Sequence, residues 1–136
     1  MERITISTKT NIENGTLPLN VDGENHDITF EFTTLQEFKK AVQLSVKARD
    51  IYLELGEKKA SEDPIGMLDG FEAATQTYRE VLKILLGEAG YNSIISLIGA
   101  EIPSTISQVL IKNLGELYSK HFMKFTKEYL STEGKL

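Results

Sequence analysis

The spacing of the apolar residues changes at Thr34, and this change constrains the fold more than any other feature of the chain. Before it, polar and apolar residues alternate over 3–8 and again over 27–32, which is the period of a β-strand. After it, apolar residues recur at spacings of three and four, which is the period of a helix. The pattern predicts an α+β protein that is mostly α-helical, with a small antiparallel sheet in 1–33 and about four helices in 34–136.

The segment between the two alternating runs carries two turn dipeptides, Asn14-Gly15 and Asp22-Gly23. Both accept the positive φ angles that tight turns require. A short strand over 17–21 fits between them, and Pro18 makes it an edge strand or an irregular segment. We therefore expect a sheet of two or three strands that is apolar on one face only.

The predicted helices are bounded by residues that typically start or stop a helix. The first helix starts at Thr34, with Glu37 three residues on, and the second starts at Asp63-Pro64 and ends at Gly87. A short third helix over 91–98 is closed by Gly99, and Pro103-Ser104 starts the fourth. The first helix has two neighbouring apolar stripes, which predict a wide buried face: Leu35, Phe38, Val42, Val46 and Leu53, and Ala41, Leu44, Ala48, Ile51 and Leu55. The second and fourth helices each have one predicted core stripe: Leu68, Phe71, Thr75, Tyr78, Leu82 and Leu85, and Ile106, Leu110, Leu114, Leu117, His121, Phe125 and Tyr129.

Length and composition exclude several classes of protein. A chain of 136 residues is expected to form a single domain, 1–136. Because it has no cysteine, disulfides, thiolate nucleophiles and cysteine-based metal sites are absent. The net charge of -5 makes nucleic acid a poor partner, since proteins that bind it must neutralise phosphates.

The longest weakly charged segment, 89–111, has Glu101 as its only charge, which raises the question of a membrane span. Gly90, Gly99 and Pro103 interrupt it, whereas a spanning helix is predominantly apolar over about 20 residues. No secretory signal is recognisable at the N-terminus. We expect a cytoplasmic protein without a membrane partner.

Candidate catalytic and metal-binding residues have simpler explanations. His26 and His121 stand alone, without a second histidine at ligand spacing, and His121 lies beside an apolar stripe, as a structural histidine does. At the start of the second helix, capping explains Glu62 and Asp63, and the field of the helix N-terminus explains Asp69 and Glu72. The run 87–90 lacks the spacing of a phosphate loop. We predict no catalytic, cofactor-binding or metal-binding residue, and hence no enzyme.

The segment 91–111 is rich in aliphatic residues on more than one face. Such a segment can be fully buried, or it can leave a surface for self-association or for an elongated helical client. The predicted partner-binding residues comprise four isoleucines and the basic face of the first helix: Ile94, Ile98, Ile102, Ile106, Lys39, Lys40 and Lys47.

The order of elements resembles the tail assembly chaperones of long-tailed bacteriophages and prophages. The residues that carry the resemblance are the Phe-x-Phe strand (Phe30, Phe32), the long charged helix, the Asp63-Pro64 start and the Leu-Gly-Glu-x-x-Tyr ending (Leu86, Gly87, Glu88, Tyr91). It spans most of 26–100.

This resemblance implies a non-catalytic protein without cofactors that works in the host cytoplasm and is absent from the mature virion. Its implied partners are the tape-measure protein, which it coats, and the tail-tube protein, whose subunits it helps recruit. The main alternative is a small cytosolic regulatory or antitoxin-like module that binds one folded partner. A small hydrolase with a site that is not legible in the sequence is a weaker alternative.

The resemblance also implies a longer second product, made by a ribosomal frameshift near the end of the shorter reading frame. The sequence closes with Glu133-Gly134-Lys135-Leu136. The codons GAG GGA AAA for the first three of these residues would contain the slippery heptamer G GGA AAA. A frayed helix end explains the glycine and the lysine equally well, so both interpretations stay open.

Overall fold

A computed structural model describes residues 2–5, 13–57 and 62–133. In these residues the chain forms a β-hairpin followed by three helices: β1 (Asn14–Val21), β2 (Glu24–Glu31), α1 (Leu35–Glu57), α2 (Pro64–Ile98) and α3 (Ser104–Glu133). The predicted α+β architecture is confirmed, with three helices in place of about four.

The hairpin turns at Asp22-Gly23, as the sequence predicts. Asp22 and Gly23 have φ angles of 52° and 89°, the positive values of a two-residue type I′ turn. The Asn20 side chain accepts a hydrogen bond from the Gly23 N–H at 3.1 Å, which holds the turn. The pairing places Leu17 opposite Ile28 and Gly15 opposite Phe30. Leu17, Ile28 and Phe30 are buried, so one face of the sheet is apolar as expected.

The N-terminal part of the sheet differs from the prediction. Residues 2–5 form no strand, and Ile4 is exposed; the rest of the predicted first strand lies outside the described residues. Asn14-Gly15 is the start of β1 rather than a turn. The glycine is needed there because a Cβ at position 15 would lie 2.5 Å from the Phe30 ring. Pro18 lies in β1, an edge strand of the two-stranded sheet, where its missing N–H is tolerated.

The predicted helix starts at Thr34, Asp63-Pro64 and Pro103-Ser104 are confirmed, and the first two are capped by side chains. The Thr34 hydroxyl accepts a hydrogen bond from the Glu37 N–H at 3.2 Å, and the Asp63 carboxylate accepts one from the Gly66 N–H at 2.9 Å. These side chains satisfy backbone donors that the first turn of a helix leaves unpaired. The starts of α1 and α2 are therefore fixed by local sequence.

Gly87 divides α2 into two helical segments. Its φ and ψ of 71° and 174° lie outside the helical region, at a conformation that favours glycine. The predicted end of the second helix thus coincides with this kink, and the predicted short third helix is the C-terminal segment of α2. Gly99, with φ of 113°, closes it as expected.

The buried face of α1 is narrower than predicted. Its buried residues are Ala41, Ala48 and Leu55, which lie on one line at intervals of seven. Small side chains bring α1 close to α2, where a Cβ at Gly70 would lie 2.6 Å from Leu55. The other predicted stripe is largely in solvent, because among the described elements α1 packs mainly on α2 alone.

The predicted core stripe of α2 is correct only in its later part. Tyr78, Leu82 and Leu85 are buried, whereas Leu68 and Phe71 are exposed. The Thr75 hydroxyl lies 3.0 Å from that of Ser104, the first residue of α3. The turns of α2 before this level therefore extend past the start of α3, which leaves them, among the described residues, covered by α1 alone on one side.

Tyr118 of α3 joins the three parts of the core. It is fully buried, its hydroxyl donates a hydrogen bond to the Leu85 carbonyl at 2.6 Å, and it accepts one from the Thr33 N–H at 3.0 Å. Its ring lies 4.9 Å from each of the rings of Phe32 and Phe38. This side chain therefore links α3 to α2 just before the kink and to the junction of β2 with α1. The side chains of Phe125 and Tyr129, at the end of the predicted α3 stripe, lie outside the described residues.

One buried hydroxyl in α3 predicts a small gain in stability. Ser107 is 1% exposed, and its Oγ has no hydrogen-bond partner among the described residues. We expect Ser107→Ala to leave the free energy of unfolding unchanged or to raise it by up to about 1 kcal/mol, because a desolvated and unpaired hydroxyl is removed. Urea unfolding measures the change.

Ser45→Ala is the matched control, since the Ser45 hydroxyl donates to the Ala41 carbonyl and its loss should be slightly destabilising. A loss above about 1 kcal/mol for Ser107→Ala would contradict the prediction, because it would mean that the hydroxyl has a hydrogen-bond partner in the folded protein.

Candidate docking surfaces

A concave, mostly apolar surface lies where the turn end of the hairpin meets the end of α2 and the start of α3. This groove has a volume of about 590 Å³. Seven apolar residues line this groove, which we call the hairpin groove: Leu19, Val21, Leu97, Ile98, Ile106, Val109 and Leu110. Among the described residues that line it, Asp22 alone is charged.

Three local signals position the groove. The type I′ turn places Leu19 and Val21 at the end of β1, and Gly99 stops α2 directly after Leu97 and Ile98. Ile102 between the helices is fully buried and anchors the connection to α3. The groove is therefore built from two neighbouring helix ends and a turn that is distant from them in sequence.

Two of the four predicted isoleucines lie in the hairpin groove. Ile98 and Ile106 line it, and Ile106 is 38% exposed. The prediction is wrong for Ile94 and Ile102 as surface residues, because both are 0% exposed and belong to the core. The apolar residues of the groove that the prediction missed are Leu19, Val21, Leu97, Leu110 and Val109, the last of which is 59% exposed.

The three predicted lysines are all exposed but do not share one face. Successive helix residues are rotated by about 100°, so Lys40 and Lys47, seven apart, lie on one flank of α1. Lys39 points about 100° away from Lys40, between Leu35 and Val42.

Lys39 belongs to a straight row along the outer side of α1. We call this row the α1 seam: Leu35, Lys39, Val42, Val46, Arg49 and Leu53. All six residues are exposed.

A polar cluster ties the start of the hairpin to α3. Lys124 Nζ and His121 Nδ1 each lie 3.1 Å from an oxygen of Glu13. The hydrogen bond from Lys124 holds the pKa of Glu13 below its usual value, and the charge of Lys124 and the contact with His121 lower this pKa further. Desolvation acts in the opposite direction and raises it. The His121 ring stacks on Phe32 at 4.1 Å between centroids. These contacts give His121 a structural role that agrees with its predicted one.

In the described part of the chain the other imidazole has a single carboxylate beside it, since His26 Nε2 lies 3.7 Å from Glu24 Oε2. Over 2–5, 13–57 and 62–133, no three His, Cys, Asp or Glu side chains lie together as metal ligands would. Asp63 caps α2, and Glu72 accepts a bond from Gln76 in the next turn. These two carboxylates near the start of α2 therefore have local helical partners.

By length and composition α2 is apolar enough to cross a membrane. A core helix passes the same test, and in this fold α2 buries nine residues, among them Val81, Leu82, Leu85 and Leu86. Part of its apolar surface thus lies in the interior of the protein.

No protein-family model, curated protein or solved structure matches the chain. Its function is therefore inferred from the surfaces described above and from the order of elements along the chain.

Proposed function

We propose that this protein is a non-catalytic tail assembly chaperone of a phage or prophage. In this role it binds the tape-measure protein in the host cytoplasm, helps recruit tail-tube subunits and does not remain in the virion. The observation that carries the proposal is the hairpin groove, an open and almost uncharged apolar surface of about 590 Å³.

The geometry of the groove suits a helical client. Isolated exposed apolar residues are common on soluble proteins, but a contiguous concave apolar surface marks a binding site. Amphipathic helices bind by placing a row of apolar side chains into such grooves. Ile106 and Val109 are three positions apart on α3 and are both exposed, so they present one continuous edge to a client.

Turnover is less favoured by the same surface. Among the described residues the groove offers one charged side chain, Asp22, and no nucleophile paired with a base, so it supplies affinity rather than chemistry. The resemblance in the order of elements, from the Phe30-x-Phe32 strand to the glycine at 87, is the second support for a chaperone.

Co-expression with the tape-measure protein of the same phage or prophage tests the proposal. We expect the intact chain to keep the client soluble and to co-purify with it. Ile106→Ser with Val109→Ser should reduce co-purification by about tenfold or more, because the lost apolar contacts are worth at least about 1.4 kcal/mol.

The matched control carries the same chemical change outside the groove. Ile65 and Leu68 are exposed aliphatic residues at the start of α2 and do not line the groove, so Ile65→Ser with Leu68→Ser should leave co-purification unchanged. Failure of the intact chain to alter the client's solubility or to bind it would contradict the chaperone assignment. Tight binding to one folded protein in its place would favour the regulatory alternative.

A further inference from the structure

The residues of the α1 seam have the spacing of the core residues in one helix of a coiled coil. Its members follow one another at intervals of four, three, four, three and four, which is the alternation of the two core positions of a heptad. Leu35 and Leu53 are 18 positions apart, or five full turns at about 3.6 residues per turn. The seam is therefore straight and about 27 Å long.

The fold leaves this seam uncovered. Leu35 and Leu53 are 64% and 63% exposed, and Val42 and Val46 are 46% and 41% exposed. The buried line of α1, through Ala41 and Ala48, is rotated from the seam by about 130°. In the described residues α1 thus has one face toward α2 and a second, independent apolar face toward solvent.

The charges in the seam disfavour a second copy as its occupant. If two α1 helices paired antiparallel with their apolar residues aligned, Lys39 of each would face Arg49 of the other. A parallel pair would place Lys39 on Lys39 and Arg49 on Arg49. Like charges at facing positions destabilise helix pairs, so either arrangement is opposed.

The same two cations favour a partner with carboxylates. In the described residues no acidic side chain lies within ion-pair distance of Lys39. Arg49 has an exposed contact with Asp50 at 3.5 Å, and an exposed pair of this kind is worth little. Both cations can therefore engage an acidic partner beside the apolar residues.

We propose that the α1 seam docks one amphipathic α-helix of a partner protein, with leucine-like residues facing the four apolar positions and carboxylates facing Lys39 and Arg49. This inference is independent of the proposed function, because it concerns a different surface from the hairpin groove and can be tested without a tape-measure protein.

Two designed helices serve as probes. Each is a monomeric peptide of about three heptads with an apolar seam, and two positions in that seam carry glutamate in the acidic probe and lysine in the basic probe. Titration calorimetry with the intact chain should show saturable binding of the acidic probe, about tenfold tighter than that of the basic probe. The difference should shrink at high salt, where exposed charges are screened.

A charge reversal with a matched control tests the placement of the cations. Lys39→Glu with Arg49→Glu should reverse the preference toward the basic probe. Lys40→Glu with Lys47→Glu changes the net charge by the same amount on the flank of α1 and should leave the preference for the acidic probe in place. Val42→Asp with Val46→Asp should abolish binding of both probes. All six positions are exposed, and unchanged circular dichroism would show that the variants fold.

Three results would overturn the proposal. The first is the absence of saturable binding of the acidic probe to the folded chain. The second is a preference between the probes that follows net charge alone, so that Lys40→Glu with Lys47→Glu changes it as much as Lys39→Glu with Arg49→Glu does. The third is a concentration-dependent dimer in sedimentation that Val42→Asp with Val46→Asp dissolves, since this would identify a second copy of the chain as the occupant.

Discussion

Ile94→Ser and Ile102→Ser are each expected to lower the free energy of unfolding by about 3–8 kcal/mol. Both side chains are 0% exposed, so each substitution leaves a cavity, which costs about 2–5 kcal/mol, and buries a hydroxyl, which costs about 1–3 kcal/mol more if it stays unpaired. Since a domain of this size has a total stability of about 5–15 kcal/mol, either variant is close to unfolding. Urea unfolding followed by far-ultraviolet circular dichroism measures the loss.

Ile106→Ser supplies the matched control for this prediction. It removes the same side chain from a position that is 38% exposed, so the expected loss is no more than about 2 kcal/mol. An unfolding midpoint for Ile94→Ser equal to that of the intact chain would place Ile94 in solvent and restore it to the predicted binding surface.

Tyr118→Phe is expected to lower the free energy of unfolding by about 2–5 kcal/mol, although only one oxygen is removed. The substitution leaves the Thr33 N–H and the Leu85 carbonyl without the partner that they have in the structure. Each buried group left unpaired costs about 1–3 kcal/mol. Tyr52→Phe is the control. The Tyr52 hydroxyl bonds to the Ser104 hydroxyl in a partly buried setting, and the Ser104 hydroxyl also lies beside that of Thr75. Tyr52→Phe should therefore lower the free energy of unfolding by less than Tyr118→Phe. Equal losses in the two variants would contradict a special role for Tyr118.

The same tyrosine predicts how stability depends on alkaline pH. Burial raises the pKa of the Tyr118 hydroxyl above its ordinary value, and the hydrogen bond from Thr33 acts in the opposite direction. The pKa of Tyr78 is also raised, mainly by burial and to a smaller extent by the neighbouring Tyr52, while the charge of Arg49 lowers it. Above about pH 10 the unfolded chain therefore loses these protons while the folded chain keeps them.

Because the folded state then binds more protons than the unfolded state, the free energy of unfolding falls as the pH rises through the folded pKa values. Below about pH 10 both states are protonated, and this contribution is fully present. In Tyr118→Phe the fall should be less steep, since Tyr78 alone remains of the two. Tyrosinate absorbance together with urea unfolding measures the effect, and an identical slope in the variant would contradict it.

Local chemistry determined the ends of the elements in this protein. Thr34 and Asp63 cap helices because their oxygens reach backbone N–H groups three residues on, and this needs no distant contact. Asp22-Gly23 forms the turn for the same kind of reason. Gly87 and Gly99 interrupt α2 and end it because their positive φ angles favour glycine. These features were predicted from the sequence, and the structure confirms them.

The candidate site was predictable in part. Ile98 and Ile106 follow from the excess of aliphatic residues in 91–111, and both line the groove. Leu19 and Val21 could not be predicted from composition. The alternation of residues shows that one face of a strand is apolar, but it does not show which helix ends that face contacts. Tyr118 was missed although it stands four positions after the predicted core residue Leu114, since a stripe through Leu117 fits helical spacing as well.

Which apolar face is buried was decided by tertiary structure alone. The sequence of α1 has two apolar stripes of similar character, and periodicity cannot rank them. The line of small residues through Ala41 and Ala48 allows close approach to α2 and is buried, while the stripe with Val42 and Val46 faces away and stays in solvent. Ile94 and Ile102 went into the core for the converse reason, because the hairpin and α3 enclose them. Sequence spacing therefore determined where each element lies along the chain, and the number of neighbours around each element determined which of its apolar residues became core and which became surface.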